Sequence, residues 1–361
     1  MKKFDSVVTF SKANDEAKNL VTGMEDYARQ YCTEKMSAKM SYDTKYTMTQ
    51  KAEKINRAFA SELQRRSGMS PEKFDNITDY ANFSAVSEMG ALIQKVLVDA
   101  VTPIVVSATG TELLSEIHYG GYGDVFEYTL TDNSVYAVSK MGRRQKHTKT
   151  QERKTVNKTI ATEMYGLTTY TTLPAILVGD AYVAEDAMRM AVAMVSKVYA
   201  LTVDAFVTGV NAITDTNLTL QNYDEDKFIS KLKYASAKNG APMVIVGDAV
   251  ALKKVLPSET RARILLQDEY VTKGYITQFN GYTVIGLDAV DGADGIVALP
   301  EDRIYGIPMN GTKLVQVAIG ATITNTDKEF DNNNLAILST LRKELGVDLA
   351  TNYKVVRVNL A

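Results

Sequence analysis

A long helix rich in apolar residues is the feature that most restricts how this chain can fold. Residues 181–208 read AYVAEDAMRMAVAMVSKVYALTVDAFVT, preceded by Asp180 as a typical N-cap and followed by Gly209 as a typical stop residue. A single helix over 180–209 is therefore predicted, about 42 Å long at about 1.5 Å per residue.

Two apolar stripes follow this predicted helix. The first contains Met188, Val192, Val195, Tyr199, Thr202 and Phe206, and the second contains Met190, Met194, Val198 and Leu201. Because both stripes need cover, the helix is expected to be packed on more than one side. Its methionines are interpreted as filling an irregular core rather than as an adaptable binding surface.

The first hundred residues are polar and have a helical pattern. Residues 49–68 carry an apolar residue at every fourth position (Ile55, Phe59, Leu63) before a glycine, which predicts an amphipathic helix. Ser70 and Pro71 are interpreted as the N-cap and first residue of the next helix. A further helix over 87–101 is predicted to end before Pro103.

A long β-hairpin is predicted in the middle of the chain. Gly120, Gly121 and Gly123 indicate a bend, after which residues 126–140 and 155–173 both alternate and are rich in β-branched and aromatic residues. Limbs of about 15 residues at about 3.3 Å each would extend the hairpin by about 50 Å. Since an isolated two-stranded ribbon is marginally stable, we expect it to lie against a neighbouring copy of the chain.

The tip of this hairpin, GRRQKHTKTQERK, is strongly basic. Eight basic residues and Glu152 between Lys140 and Lys158 give a local charge of +7, so the rest of a chain with net charge −2 carries −9. The residues expected to make salt-sensitive contacts to a neighbouring subunit are Arg143, Arg144, Lys146, Lys149, Arg153 and Lys154. A phosphate-binding patch and a solvated loop are the alternatives, although the patch lacks the interleaved aromatic residues of a base-stacking platform.

The C-terminal part alternates helix and strand, which predicts an α+β domain around a mostly antiparallel sheet. The signals are a helix from Asp224 to Gly240, a strand at 242–247, a helix from Asp248 to Pro257, and a tight turn at Asn280-Gly281. The segment LAILSTLRKEL is compatible with either helix or strand.

No catalytic or metal-binding motif is found. The only histidines are His118 and His147, Cys32 is the only cysteine, and no G-x-S-x-G motif is present, so neither a hydrolytic triad nor a closed zinc site is predicted. The stretches HYGGYGDVF, MVIVGDAVALKK and DAVDGADG fail the dinucleotide, phosphate-loop and calcium patterns and are interpreted as turns and caps. No uninterrupted apolar run is long enough to span a bilayer.

The order of these parts resembles the major capsid protein of tailed bacteriophages, whose fold is shared with herpesvirus shells and encapsulins. Residues 119–173 resemble the family's extended loop, and 180–209 its spine helix. PMVIVGDAVALKKV and the Asn280-Gly281 hairpin resemble its axial domain. The ending FDNNNLAILSTLRKELGVDLATNYKVVRVNL is similar to its final strands, which favours strand for LAILSTLRKEL.

The resemblance implies an α+β fold in five parts. These are an N-terminal helical arm (1–118), an extended β-hairpin loop (119–173), a peripheral domain with the spine helix (174–222), an axial domain (223–325) and C-terminal strands that return to the peripheral domain (326–361). Residues 1 to about 80 match a removable scaffolding segment or a retained arm in different relatives, and a retained arm is expected.

The implied function is structural, without catalysis or cofactor. Copies are expected to assemble as pentamers and hexamers into an icosahedral shell around double-stranded DNA, in the virion, after assembly in the host cytoplasm. Portal, scaffolding and cement proteins are possible partners, and no membrane is expected. An encapsulin-like compartment is the alternative within the fold, and a nucleic-acid-binding protein that uses the basic tip is the alternative from another class.

Overall fold

The structure, a computed structural model, describes residues 15–36, 38–70, 80–131, 140–141, 152, 155–172, 182–255, 270–271, 273–292, 295–309, 313–325, 330–331 and 336–360. Two predicted boundaries, at Pro71 and Asp180, lie outside these residues. The helix predicted from Asp248 to Pro257 begins after Asp248 as expected but ends at Leu252, so its predicted length is wrong.

The described residues form seven helices and sixteen strands. The helices are α1 (Asp15–Lys35), α2 (Met48–Ser67), α3 (Tyr80–Ala108), α4 (Thr111–Leu114), α5 (Val183–Asn211), α6 (Glu225–Asn239) and α7 (Ala249–Leu252). The strands are β1 (Ser115–Tyr119), β2 (Phe126–Thr131), β3 (Thr155–Ile160), β4 (Thr162–Thr172), β5 (Thr219–Gln221), β6 (Met243–Gly247), β7 (Gln278–Phe279), β8 (Tyr282–Gly286), β9 (Val290–Gly292), β10 (Gly295–Val297), β11 (Arg303–Pro308), β12 (Val315–Ile319), β13 (Ile323–Asn325), β14 (Phe330–Asp331), β15 (Ala336–Leu349) and β16 (Val356–Asn359).

Helix α5 is the centre of the larger core, as its two apolar stripes predict. Most members of both stripes are buried, and the helix packs against α2, α3 and the strands β9, β12 and β15. The prediction that Gly209 ends this helix is wrong, because α5 continues to Asn211. A Cβ atom at Gly209 would collide with the side chain of Leu349, so this glycine permits the close approach of α5 and β15.

The N-terminal helices cover α5. Helix α2 matches its prediction: Ile55, Phe59 and Leu63 are buried, Thr47 and Gln50 form a capping box, and Gly68 ends the helix with φ 68°. These features fix the helix start and stop locally. Its apolar face packs against α1, α3 and α5.

Helix α3 corrects the predicted stop before Pro103, since it continues to Ala108. Proline removes one backbone hydrogen bond and costs about 3 kcal/mol inside a helix. Val98, Val101, Val105 and Val106 are each at most 1% exposed in the core around this proline. Burial of these side chains, at about 1.5 to 3 kcal/mol each, exceeds the cost of the proline.

The first sheet is built around the long strand β15. Strand β15 pairs antiparallel with β4, β12, β13 and β14, and β1 pairs parallel with β12. The described residues of the segment LAILSTLRKEL, from Ala336 onward, are therefore a strand, as the resemblance favours.

The second sheet belongs to the C-terminal part and has the strand order β5-β16-β11-β6-β8-β7. Helix α6 lies against it, with the predicted caps Asp224 and Gly240 in place. Asn280 and Gly281 have φ 47° and 84° and form the predicted turn between β7 and β8. Antiparallel pairings outnumber parallel ones in both large sheets, as predicted, and the parallel pairs are β1 with β12, β5 with β16, and β6 with β8.

Among the described residues, two helical segments, Glu88–Ala108 and Val183–Asn211, are long and apolar enough to cross a membrane by length and composition. In each segment, 56% of the most apolar window is buried inside the fold, as is common for core helices.

Candidate functional site

The predicted basic tip is almost wholly outside the described part of the chain. This applies to all six predicted contact residues, Arg143, Arg144, Lys146, Lys149, Arg153 and Lys154, and their role stays a prediction. Glu152 is the described residue of this segment, and it is exposed, as are Lys140 and Met141 just before the segment.

The hairpin itself is present at its base as the two-stranded ribbon of β2 and β3. Its six residue pairs run from Phe126–Ile160 to Thr131–Thr155. The prediction that residues 155–173 form one continuous limb is wrong. The strand is interrupted at Ala161, and β4 leaves the ribbon to pair with β15 over eleven residue pairs. Pairing with the central sheet lets Tyr165 and Leu167 pack on the core, which the ribbon could not provide.

The two faces of the ribbon differ in polarity. One face carries Phe126, Tyr128, Leu130 and Ile160, which are between 3% and 8% exposed. The other carries exposed polar residues, and Thr129 Oγ1 donates to Asn157 Oδ1 across the strands at 3.0 Å. The ribbon is therefore amphipathic, as a strand pair that covers a core on one side should be.

The apolar face of the ribbon extends past the part of the fold that covers it. At the inner end, Phe126 and its partner Ile160 are 6% and 3% exposed. Near the outer end, Leu130 is 8% exposed, but its cross-strand partner Val156 is 55% exposed. Paired residues of an antiparallel ribbon share a face, so cover from the rest of the described chain ends at Val156.

Other exposed apolar side chains lie near the ribbon. Of the twelve large apolar residues that are exposed in the described part of the chain, six fall between residues 119 and 164: Tyr119, Tyr122, Val125, Met141, Val156 and Met164. We refer to these six residues as the ribbon apolar set. Half of the exposed large apolar residues of the described chain therefore lie in this one stretch of sequence, which includes the ribbon.

The glycine bend fixes the base of the ribbon. Gly121 N–H donates to Asp124 Oδ2 at 2.6 Å, and Gly123 N–H donates to Glu344 Oε2 of β15 at 3.0 Å. Gly123 has φ 75°, which a glycine adopts without strain, and a Cβ at Gly120 would lie 2.7 Å from the Phe126 ring. The interpretation of these glycines as a bend is confirmed.

A second attachment lies on β2. The Tyr128 hydroxyl donates to Asp348 Oδ2 of β15 at 2.7 Å. Burial raises the pKa of Tyr128, and the hydrogen bond to Asp348 raises it further, so the phenol stays protonated at physiological pH. The ribbon base is therefore held to β15 by side chains at two points.

His118 and Cys32, two residues of types that often take part in catalysis or metal binding, make contacts within the fold. His118 lies on β1 with Nε2 2.7 Å from Gln316 Oε1, and Gln316 is itself buried. Cys32 is buried, which raises the pKa of its thiol to about 11 and suppresses its reactivity. Within the described ranges, no group of three or more His, Cys, Asp or Glu residues is placed to hold a metal ion.

A buried ion pair between α3 and β15 was missed by sequence reasoning. Lys343 is 1% exposed, and its Nζ lies 3.2 Å from Asp99 Oδ1 and 3.3 Å from Thr102 Oγ1. Thr322 Oγ1 also donates to Asp99. Burial lowers the pKa of Lys343, and the nearby Asp99 carboxylate opposes this shift. The alternation of Lys343 with Leu341 and Leu345 on one strand face is the signal that could have located it.

Sequence comparisons identify no relative: the chain matches no protein-family profile and no curated protein. Solved structures of similar layout do exist. The capsid of an empty GTA particle is 10% identical, with a TM-score of 0.48, and the match covers 70% of this chain and 90% of that one.

Two bacteriophage structures give similar values. The mature capsid of bacteriophage PhiM1 is 10% identical with a TM-score of 0.45, covering 69% of this chain and 86% of that one. The acid-stable capsid of Helicobacter pylori bacteriophage KHP30 is also 10% identical with a TM-score of 0.45, covering 69% of this chain and 90% of that one.

Proposed function

We propose that this protein is a structural capsid protein of the tailed-bacteriophage type, which assembles through pentamers and hexamers into an icosahedral shell around double-stranded DNA. The observation that supports this most is the ribbon of β2 and β3, whose apolar face passes from buried at Ile160 to exposed at Val156. An apolar face that its own chain leaves open is a candidate contact surface for a second molecule.

In this proposal the ribbon lies over an adjacent subunit. Val125 and Val156 are 71% and 55% exposed, so complete burial of either side chain by a neighbour contributes about 1 to 2 kcal/mol. The hydrogen bonds from Gly123 to Glu344 and from Tyr128 to Asp348 hold the ribbon base in place. Less conformational entropy is then lost on association. Closed symmetry repeats each such contact around a ring.

The basic tip has a complementary role in this proposal. The segment from Lys140 to Lys158, which contains the tip, has a charge of +7 and would face chains whose remaining residues carry −9, so attraction between subunits favours encounter and fixes register. Contacts of this kind depend on ionic strength, because salt screens charges over about 10 Å at 0.1 M. Because each subunit has a net charge of only −2, the proposed shell would enclose DNA without binding it tightly.

A nucleic-acid clamp is the second candidate, supported by the charge of the same tip. A clamp would bind DNA as an isolated subunit, with affinity that falls steeply with salt and disappears when the tip is neutralised. An encapsulin-like compartment would assemble in the same way but would enclose protein cargo. Analysis of shell contents distinguishes DNA from cargo protein.

The proposal is tested by comparing two substitutions of exposed apolar residues. Val156→Asp removes apolar contact on the ribbon, and the matched control Ile296→Asp changes a residue that is 78% exposed on β10. Loss of about 2 kcal/mol per contact weakens each subunit association about 30-fold. We expect sedimentation velocity to show a lower assembled fraction for Val156→Asp alone. Equal assembly by both variants would contradict the role of the ribbon.

A further inference from the structure

A cluster of cations lies where the α1–α2 connection meets α2. Lys45 and Lys54 approach the ring of Tyr46, with Nζ atoms 5.4 Å and 3.1 Å from the ring centroid. Arg57 follows Lys54 by three positions and so shares its helix face. The three cations are exposed, and we refer to Lys45, Tyr46, Lys54 and Arg57 as the α2 cationic cluster.

No ion pair is formed by these three cations within the described ranges. Glu53, four positions before Arg57 on α2, is an acidic neighbour on the same helix, and the two nearby acidic residues of α1 and the connection make other contacts. Asp26 lies 2.6 Å from Lys51 Nζ, and Asp43 Oδ1 accepts the backbone N–H of Lys45. The pKa of the Tyr46 phenol is lowered, chiefly by its hydrogen bond with Lys54, as expected where positive charge is concentrated.

The connection that carries the cluster is held in one conformation. Asp43 N–H donates to Asp26 Oδ1 at 2.8 Å, and Lys51 Nζ donates to the Asp43 carbonyl at 2.6 Å. Thr47 and Gln50 complete the capping box that starts α2. Holding two like charges beside one ring is unfavourable in the absence of an anion, whereas a fixed arrangement lowers the entropy lost when an anion binds.

We propose that the α2 cationic cluster binds the phosphate backbone of duplex DNA without reading its base sequence. Lys54 and Arg57 are offset by about 4.5 Å along the helix axis. That offset is comparable to the axial spacing of about 3.4 Å between phosphates of one DNA strand. Lys45 adds a third cation from the connection, and the Tyr46 ring keeps the two lysines together through cation–π attraction.

A protein partner fits this face less well. None of the exposed large apolar residues in the described part of the chain lies on α1, α2 or their connection. Protein contacts normally have a desolvated apolar centre, whereas contacts to a nucleic-acid backbone are polar and cationic. The inference rests on the proposed function, because a shell around DNA presents one face of each subunit to the duplex.

The test measures binding of the full-length protein to a labelled random-sequence duplex by fluorescence anisotropy over a series of salt concentrations. Each phosphate contact contributes about 0.9 to the slope of log K against log salt, so Lys45→Ala/Lys54→Ala should reduce the slope by about 2. The control Lys233→Ala/Lys238→Ala removes two exposed lysines of α6, one of them 5.8 Å above the Tyr234 ring. Lys45→Arg/Lys54→Arg keeps both charges and should keep the slope.

The basic tip is identical in all these variants, so its own contribution cancels in the comparison. Equal slopes for the Lys45/Lys54 and Lys233/Lys238 alanine variants would overturn the inference. So would a Lys45/Lys54 variant that stops forming shells while its slope is unchanged, because the cluster would then be a subunit contact. Failure of the wild-type protein to form shells would refute the proposed function instead, whichever slopes are found.

Discussion

Replacement of Asp99 by Asn tests the buried ion pair between α3 and β15. The change keeps the shape of the side chain but leaves the Lys343 ammonium, which is 1% exposed, without its counter-charge. Removing one partner of a buried pair costs about 3 to 5 kcal/mol, a large share of the 5 to 15 kcal/mol that stabilises a typical domain. Urea unfolding at neutral pH should show this loss in the free energy of unfolding.

The loss should also depend on pH in a defined direction. Burial lowers the pKa of Lys343 below its value in the unfolded chain, so the unfolded state binds more protons between the two pKa values. Stability therefore rises with pH in that window. Asp99 raises the pKa of Lys343, so Asp99→Asn lowers it further and widens the window. The destabilisation should shrink as the pH approaches 10, where Lys343 can fold in its neutral form.

Two further variants complete this test. Lys343→Met in the Asp99→Asn background removes the stranded charge and should recover much of the lost stability. Arg189→Gln breaks a pair that is 3.9 Å apart with side chains 74% and 41% exposed, and it should change stability by about 0 to 1 kcal/mol. An Asp99→Asn protein as stable as the wild type, or a loss that is equal at pH 7 and pH 10, would refute the reasoning.

Two other predictions concern assembly and packing. Replacing Arg143, Arg144, Lys146, Lys149, Arg153 and Lys154 together by Ala should impair assembly while circular dichroism shows a folded subunit, and normal shells from this variant would count against the role of the tip. Gly209→Ala places a Cβ against Leu349 and should destabilise the protein by about 1 to 3 kcal/mol in urea unfolding; in a Leu349→Ala background the same change should cost less if the clash is the cause, and an equal cost in both backgrounds would contradict it.

Local signals in the sequence predicted the elements that depend on local chemistry. Asp224, Gly240 and the Asn280-Gly281 turn lie where their capping and turn preferences place them. The apolar stripes of α5 predicted that it is covered on several sides. Each of these features depends on residues within a few positions of one another.

The errors occurred where distant residues decide the outcome. Gly209 was interpreted as a helix stop, but its small size accommodates Leu349, which is distant in sequence. Pro103 did not end α3, because the surrounding valines are buried in the core. The ribbon limb was predicted too long, since only the pairing of β4 with β15 shows that the strand leaves the ribbon at Ala161.

Negative-stain electron microscopy of the concentrated, purified protein, at low and at high salt, tests the central proposal most directly. We expect uniform hollow shells, or rings of five and six subunits, because in the proposed function the ribbon apolar set and the basic tip contact a neighbouring subunit. A stable monomer or dimer under every condition would contradict the proposed shell.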